Sequence, residues 1–304
     1  MKTALIIIFI IALVLAALIF AVSVVLAHYV VYPQTVTYEV AHATEEKAGF
    51  LKDYDSLPKQ AYDVISFDGY IIHGEYIPAA ENPGKGRFVI LTHGYSYDRL
   101  GSVKYMHIFR DMGFNCIEYD LRGHGENEKT IVTMGIKEAR DLIAVIDRVH
   151  ADFGEDIILG LHGESMGSGT EINALQYRPK VDFIVNDCGY GELMSTLVGQ
   201  VQQQFHMPPF LVSTAAAACR LFYGYSFKDV RPIDALHENN IPILFVHGAE
   251  DTFVPCQQSK NMAAATQGES ELYLCPGAGH AQSYEKDPEA YREKVRAFVE
   301  KHVS

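Results

Sequence analysis

One serine in the chain lies in a setting that suits nucleophilic chemistry. Ser165 is the centre of Gly163-Glu164-Ser165-Met166-Gly167, after an apolar run at residues 156–161 and before a helical pattern at residues 167–178. A Gly-x-Ser-x-Gly turn between a buried strand and a helix needs small flanking residues, and the helix N-terminus favours developing negative charge. The pattern predicts Ser165 as a catalytic nucleophile, with a plain turn serine as the alternative.

A serine hydroxyl is a weak nucleophile at neutral pH, so it requires a base, and the base requires an acid that orients it. Asp251 follows a predicted strand at residues 241–246 and is the candidate acid. His280 follows the last predicted strand, residues 271–274, and is the candidate base. Both lie where strands end, and open parallel sheets bind their ligands at that edge.

Other residues compete for these roles. Glu250 and Asp187 remain alternative acids, because one neighbours Asp251 and the other follows the preceding strand. His93 and His124 also lie in loops after strands, but both precede the serine. We expect these two histidines to shape their loops by hydrogen bonds.

Attack on a carbonyl also requires donors for the oxyanion. The backbone N–H of the residue after the nucleophile, Met166, is the first candidate. The second is expected from the loop after an early strand, here Thr92-His93-Gly94-Tyr95-Ser96, and we assign it to the N–H of Tyr95.

Strand patterns alternate with helical patterns through the rest of the chain, which predicts an α/β fold with a mostly parallel sheet covered by helices. Strands are predicted at residues 61–66, 70–77, 87–92, 114–119, 156–161, 181–186, 241–246 and 271–274. Helices are predicted at residues 103–111, 135–153, 167–178 and 288–302. Asp68-Gly69 predicts a hairpin between the first two strands, and residues 83–86 predict a turn.

One segment interrupts the alternation. Residues 191–228 are helical in character and unusually apolar for a connection, with Phe205, Phe210 and an alanine run. We interpret this segment as a lid over a pocket. The alternative is an ordinary pair of helices that covers the sheet.

The N-terminal segment predicts a membrane anchor. Residues 4–27 contain no charge, and at about 1.5 Å per residue they cross a hydrocarbon core. A cleaved signal peptide is the alternative, but its apolar region is usually shorter. Lys2 precedes the segment and no Lys or Arg follows it until Lys47, which predicts a catalytic domain on the extracytoplasmic side.

The whole chain therefore divides into three predicted parts: an anchor at residues 1–31, a juxtamembrane linker at residues 32–59, and a catalytic domain at residues 60–304.

The chain of 304 residues has a net charge of −13, which disfavours nucleic-acid binding. Its five cysteines are scattered singly, so buried free thiols are expected. A single disulfide is the alternative. The chain lacks zinc, EF-hand, Walker and dinucleotide motifs, so we expect no metal and no cofactor.

Taken together, the motifs resemble those of the α/β-hydrolase superfamily over about residues 60–302. The chain is most similar to the membrane-anchored bacterial branch of serine esterases. The matching motifs are His93-Gly94-Tyr95 and residues 98–102, 119–125, 163–167, 232–234, 246–251 and 277–280. The resemblance implies an α/β-hydrolase fold, a nucleophile at Ser165, an acid at Asp251, a base at His280, and a lid between the sixth and seventh strands.

These observations predict a serine hydrolase, and a carboxylesterase that acts on a small or medium apolar ester is the favoured type. A serine peptidase and a lipid acyl hydrolase are alternatives in the same class. A hydrolase-like binding protein without activity is the alternative from another class. The expected partners are a small-molecule ester or acyl substrate and, through the N-terminal helix, a membrane.

Overall fold

An eight-stranded sheet is the centre of the computed structural model, which describes residues 1–81 and 86–303. The strands in chain order are β1 (Gln60–Ala61), β2 (Val64–Ile65), β3 (Ile71–Ile72), β4 (Gly74–Ile77), β5 (Arg87–Thr92), β6 (Phe114–Tyr119), β7 (Ile158–Glu164), β8 (Phe183–Asp187), β9 (Ile243–Gly248) and β10 (Ser270–Cys275). Across the sheet their order is β1-β4-β6-β5-β7-β8-β9-β10, and β2 and β3 form a separate pair. Every neighbouring pair from β6 to β10 is parallel, as predicted.

Helices lie between the strands and around the sheet. They are α1 (Lys2–Val31), α2 (Tyr38–Ala48), α3 (Val103–Arg110), α4 (Ile136–Phe153), α5 (Met166–Ala174), α6 (Leu193–Gln203), α7 (Phe210–Tyr223), α8 (Gln257–Ala265), α9 (Ser283–Lys286) and α10 (Pro288–His302). Two apolar clusters of buried side chains surround the sheet. The continuous apolar run of β5 contributes Phe88 and Ile90 to one cluster and Val89 and Leu91 to the other, which explains why it lacks alternation.

The first two predicted strands are each divided in the structure. The hairpin at Asp68-Gly69 is present, since Val64 pairs with Ile72 and Gly69 has a φ of 83°. Each predicted strand is nevertheless interrupted between the hairpin and the large sheet. The hairpin strands are β2 and β3, whereas β1 and β4 pair with each other in the large sheet. His73 accounts for one break, because its N–H donates to the Asn127 side chain (2.8 Å). The turn predicted at residues 83–86 lies outside the described residues except for Gly86.

The predicted linker, residues 32–59, contains an ordered helix. The Thr37 side chain accepts a hydrogen bond from the Val40 N–H, and Gly49 ends α2 in the left-handed conformation. Ala41 in α2 and Tyr54 beyond it are buried in the same apolar cluster as Val89 and Leu91 of β5. Helix α2 and the turn after it therefore pack against the body of the protein through one buried face.

Helix α1 has two parts with different surroundings. It has 30 residues, about 45 Å in length, and in the described chain it alone is long and apolar enough to cross a membrane. Residues 2–21 are exposed, whereas Ser23, Ala27 and Val31, four residues apart, are buried. Ser23 donates to Thr214 Oγ1 of α7 (2.6 Å), so the last two turns of α1 pack on that helix.

Candidate active site

The turn that carries Ser165, the candidate nucleophile, joins β7 to α5. Ser165 has φ 54° and ψ −108°, a strained conformation for a residue with a side chain, and its N–H donates to Asp187 O (2.8 Å). The flanking glycines are required by close approach. A Cβ on Gly167 would lie 2.2 Å from Thr92 O, and one on Gly163 would lie 2.6 Å from the Gly167 carbonyl carbon. The tight turn presents the serine side chain at the carboxyl edge of the sheet.

Ser165, His280 and Asp251 form a continuous hydrogen-bonded chain. Ser165 Oγ lies 2.8 Å from His280 Nε2, and His280 Nδ1 lies 2.7 Å from Asp251 Oδ2. With the proton on Nδ1 directed to the carboxylate, Nε2 is free to accept the serine proton. The structure thus brings together three residues that are 115 and 29 positions apart in the sequence.

Three groups besides His280 direct hydrogen bonds at the Asp251 carboxylate. Its Oδ1 accepts from the N–H groups of Phe253 (2.8 Å) and Val254 (2.9 Å), and His247 Nε2 lies 3.1 Å from Oδ2. Burial alone would raise the pKa of Asp251, but hydrogen bonds from His247, His280 and the backbone outweigh it and hold that pKa well below its usual range. The carboxylate is therefore ionised and fixed in orientation.

Neither alternative acid contacts His280. Glu250 is exposed beside the buried Asp251. The Asp187 carboxylate accepts from the hydroxyls of Tyr105 (3.2 Å) and Tyr291 (3.0 Å). Burial and the nearby charge of Glu164 raise the pKa of Asp187 to about 6. The geometry therefore favours Asp251 over both.

Two backbone N–H groups near the serine are available to an oxyanion. Met166 is the first residue of α5, so its N–H has no partner within the helix. Tyr95 lies beside the serine in the loop after β5, and both residues line one cavity with Ser165. Within residues 1–81 and 86–303 neither N–H donates to a protein acceptor, whereas the next one, Ser96 N, donates to His124 Nε2 (3.2 Å).

His93 and His124 are engaged with the backbone, as expected. His93 Nε2 accepts from the Leu121 N–H (2.8 Å), and its Nδ1 lies 2.7 Å from Gly94 O. His124 accepts from Ser96 in the same way. Burial lowers the pKa of His93 to about 4 and that of His124 to about 3, so both rings are neutral at pH 7. They fix the loop that carries Tyr95.

A buried ion pair under the nucleophile turn was not anticipated from the sequence. Glu164 accepts from Lys104 Nζ (2.7 Å) and the Tyr105 hydroxyl (2.6 Å). Burial opposes the charge of both partners, but their mutual attraction lowers the pKa of Glu164 and raises that of Lys104. Lys104 Nζ also lies 3.4 Å from Ala281 O, beside His280. This pair links the serine and histidine loops, and helical spacing in α3 gave no sign of it.

Ser165 faces a cavity of about 460 Å³, within the range of small-molecule sites. Its lining is mostly apolar and includes α6 and α7 as well as three residues of α1, namely Leu26, Tyr29 and Val30. This contribution from α1 could not be predicted, because the sequence of a uniformly apolar helix does not show which face will pack against a protein. Phe253 lies against the His280 ring, with centroids 4.9 Å apart.

One group in the described part of the chain has the spacing of a metal site, away from this cavity. It consists of Glu269, Glu271 and His302. Lys301 forms ion pairs with both carboxylates, and its Nζ lies 2.9 Å from Glu271 Oε1. The lysine ammonium therefore takes the place that a metal cation would have between these carboxylates.

Comparison with known proteins places this site in a family. A model of the prolyl oligopeptidase family, peptidase family S9, matches residues 102–304, about two thirds of the chain. The chain belongs to the prolyl oligopeptidase family. The matched region includes Ser165, Asp251 and His280.

Relatives of this prolyl oligopeptidase family member occur in bacteria. The chain is 28% identical over 294 residues to the uncharacterized protein YqkD of Bacillus subtilis, covering 94% of each. It is 19% identical to the uncharacterized protein YfhR of Escherichia coli K12, over 81% of this chain and 82% of that one.

Solved structures share the fold. The esterase Pf2001 of Pyrococcus furiosus matches 90% of this chain and 98% of its own, with a TM-score of 0.70 and 20% identity. The acylaminoacyl peptidase of Pyrococcus horikoshii matches 81% of this chain and 42% of its own, with a TM-score of 0.62 and 14% identity. The protein is an α/β-hydrolase of the serine hydrolase class, and both esterases and peptidases have this fold.

Proposed function

We propose that the protein is a membrane-anchored carboxylesterase that forms an acyl-enzyme with an ester of small or medium apolar acyl chain. The observation that carries the proposal is the chain of hydrogen bonds from Ser165 through His280 to Asp251, which opens on an apolar cavity. The assignment of these three residues as the catalytic triad is part of the proposal.

In the proposed mechanism, Ser165 Oγ attacks the ester carbonyl as its proton passes to His280 Nε2. The N–H groups of Tyr95 and Met166 hold the oxyanion, and Asp251 stabilises the imidazolium. Collapse of the tetrahedral intermediate breaks the ester C–O bond, and His280 gives its proton to the leaving alcohol. Water then attacks the acyl-enzyme, with His280 again as the base, and releases the carboxylic acid.

The chemistry of the cavity supports an ester over a peptide. Glu164 is the only Asp, Glu, Lys or Arg side chain in its described lining, and Lys104 already neutralises it. A peptidase that trims chain ends needs a charged group for the terminus, and the lining offers none. Peptide hydrolysis is the second candidate, because the family model is that of a peptidase family.

The segment at residues 191–228 fits the proposed role of a lid. Helices α6 and α7 contribute Leu197, Val201, Val212 and Ala215 to the cavity wall. Their apolar inner faces cover the site and exclude water from the acyl-enzyme until the alcohol has left.

Anchoring and orientation are proposed from α1. Its length and mean hydropathy suit a single membrane span. Lys2 at its start and the absence of Lys or Arg until Lys47 favour a cytoplasmic N-terminus. The catalytic domain then lies on the extracytoplasmic side, and the helix remains uncleaved.

Hydrolysis of p-nitrophenyl butyrate by the full-length protein in detergent tests the proposal. We expect turnover by the wild type, a loss of at least about 10³-fold in kcat for Ser165→Ala, and little cleavage of aminoacyl p-nitroanilides. Unchanged circular dichroism would show that the variant is folded. Equal ester turnover by Ser165→Ala would refute the nucleophile, and faster cleavage of the anilides would favour the peptidase. A wild type without any turnover would support the inactive binding protein.

A further inference from the structure

The cavity wall includes part of the helix that anchors the protein. Leu26, Tyr29 and Val30 lie at helical spacing on one face of α1, and all three line the cavity that holds Ser165. The Tyr95 hydroxyl donates to Tyr29 O (2.9 Å), which ties the loop of the proposed oxyanion donor to α1. The anchor and the active site are therefore one packed unit.

The length of the exposed part of α1 gives the depth of the membrane surface. Residues 3–21 are exposed and uncharged, and at about 1.5 Å per residue they span about 28 Å. The hydrocarbon core of a bilayer is about 30 Å thick. When this part crosses the bilayer, the core ends near Val22, about one turn before Leu26 at the cavity wall.

Helix α7 presents apolar side chains at the same level. Leu221 and Phe222 are exposed, and the ring of Phe222 lies 6.2 Å from that of Phe20 on the membrane part of α1. The one charged residue of α7, Arg220, forms an ion pair with Asp229 (2.7 Å). The outer face of α7 thus lies at the depth where acyl chains meet headgroups.

Apolar side chains also line the cavity itself. Phe205, in the turn between α6 and α7, is about half exposed and also lines the cavity. Val201 and Leu197, which precede it in α6, and Val30 of α1 belong to the same lining. Apolar side chains of α1, α6 and α7 therefore line the cavity from the half-exposed Phe205 to Ser165.

We infer that the substrate is an amphiphilic ester with a single apolar acyl chain, drawn from the bilayer into the cavity between α1 and the α6–α7 pair. This inference rests on the proposed esterase function and names its substrate class. A membrane-dissolved chain enters such a cavity without crossing water, so its methylenes are not hydrated during transfer into the site.

Chain-length selectivity tests the inference. The full-length protein is reconstituted in phosphatidylcholine vesicles and assayed with p-nitrophenyl acetate, which is soluble, and p-nitrophenyl decanoate, which partitions into the vesicles. Leu26→Trp fills the α1 wall, and we expect it to lower the decanoate-to-acetate ratio of kcat/KM at least tenfold. Val25→Trp, at an exposed neighbouring position outside the cavity lining, is the matched control and should keep the ratio within twofold.

A second variant tests entry at the membrane surface. The double substitution Leu221→Glu and Phe222→Glu places charge on the exposed face of α7. We expect decanoate turnover in vesicles to fall at least tenfold while acetate turnover stays the same. Labelling of Ser165 by a fluorophosphonate checks that each variant is folded.

The outcomes separate the two proposals. If Leu26→Trp and the α7 variant leave the decanoate-to-acetate ratio unchanged, the membrane route is wrong and the esterase function stands. If the wild type hydrolyses neither ester, the proposed function fails and the inference fails with it.

Discussion

At the scale of single residues, the site depends on how firmly Asp251 is held. Four groups direct hydrogen bonds at its two oxygens: His280, His247 and the N–H groups of Phe253 and Val254. Because its pKa lies well below the usual range, the carboxylate stays ionised throughout the pH range of an esterase assay. A fall of the ester hydrolysis rate at acidic pH would therefore not be caused by protonation of Asp251.

Asp251→Asn tests the orienting role. The amide would donate to His280 Nδ1 and force the proton onto Nε2, so the imidazole could no longer accept the serine proton. We expect kcat/KM for p-nitrophenyl butyrate to fall about 10³–10⁴-fold. Glu250→Gln removes the neighbouring exposed carboxylate and should leave the rate within twofold. Comparable losses in the two variants would contradict the assignment.

The proximity of the three candidate residues was predictable for a physical reason, whereas the residues that support them were not. Ser165, Asp251 and His280 each follow a strand that could be identified from its apolar run, so their common edge of the sheet followed from topology. Lys104 looked like an ordinary polar residue of α3. Its burial against Glu164 depends on the packing of two loops, which no local pattern encodes.

At the scale of elements, the β7–α5 turn depends on backbone approach. A Cβ on Gly167 would meet two backbone oxygens, Thr92 O at 2.2 Å and His93 O at 2.7 Å, and backbone cannot give way as a side chain does. We expect Gly167→Ala to lower the free energy of unfolding by about 2–3 kcal/mol or more and to reduce ester turnover. Gly199→Ala, in open space on α6, should stabilise by about 0.5–1 kcal/mol. Urea denaturation measures both, and equal stability of the two variants would argue against the tight turn.

Strand β6 carries a carboxyl group whose effect on stability changes with pH. Burial and the nearby charge of Glu75 raise the pKa of Glu118 to about 8, against about 4.3 in an unfolded chain. Between these values the folded protein holds a proton that the unfolded chain has lost. The stability contributed by this group is complete below about pH 4.3 and is lost as the pH rises through 8.

Glu118→Gln removes this dependence. We expect the free energy of unfolding of the variant, relative to the wild type, to increase steadily from pH 4.5 to pH 8. Glu300→Gln, at an exposed position of α10, controls for the change in net charge. Denaturation at four pH values gives the comparison, and a difference that stays constant with pH would show that Glu118 titrates normally when folded.

Elements with strong apolar patterns were predicted well. The bounds of β5, β6 and α10 match the prediction, and four free buried cysteines fit the expected thiols. Helix α8 was missed because its sequence, Gln257–Ala265, is mostly polar, and it is held by a few buried residues such as Met262 and Ser259. The split of the first strands depends on His73 and Asn127, which are far apart in sequence.

At the scale of the whole molecule, α1 combines an exposed apolar part, which we propose spans the membrane, with a part that packs on the enzyme body. Its last turns bury Ser23, Ala27 and Val31, and they close one side of the cavity. The sequence predicted the span from composition, but a helix that is apolar all round has no face that marks a protein contact. The docking of α1 on α7 could therefore be learned only from the structure.

Two truncations separate the two roles of α1. Removal of residues 1–22 leaves the packed turns in place, so we expect a folded protein that hydrolyses p-nitrophenyl butyrate. Removal of residues 1–31 uncovers α7 and the cavity wall, and should lower the Tm by at least about 4 °C, because each large apolar side chain contributes about 1.5–3 kcal/mol. Thermal melts in mild detergent provide the measurement. Equal Tm values for the two truncations would mean that α1 serves only as an anchor.

The central claim is that Ser165 is an activated nucleophile. The most direct measurement is labelling of the full-length protein in membranes with a fluorophosphonate, followed by peptide mapping of the adduct. We predict one adduct, on Ser165, that forms in the wild type and is lost in His280→Ala. An adduct on another residue, or unchanged labelling in His280→Ala, would contradict the account.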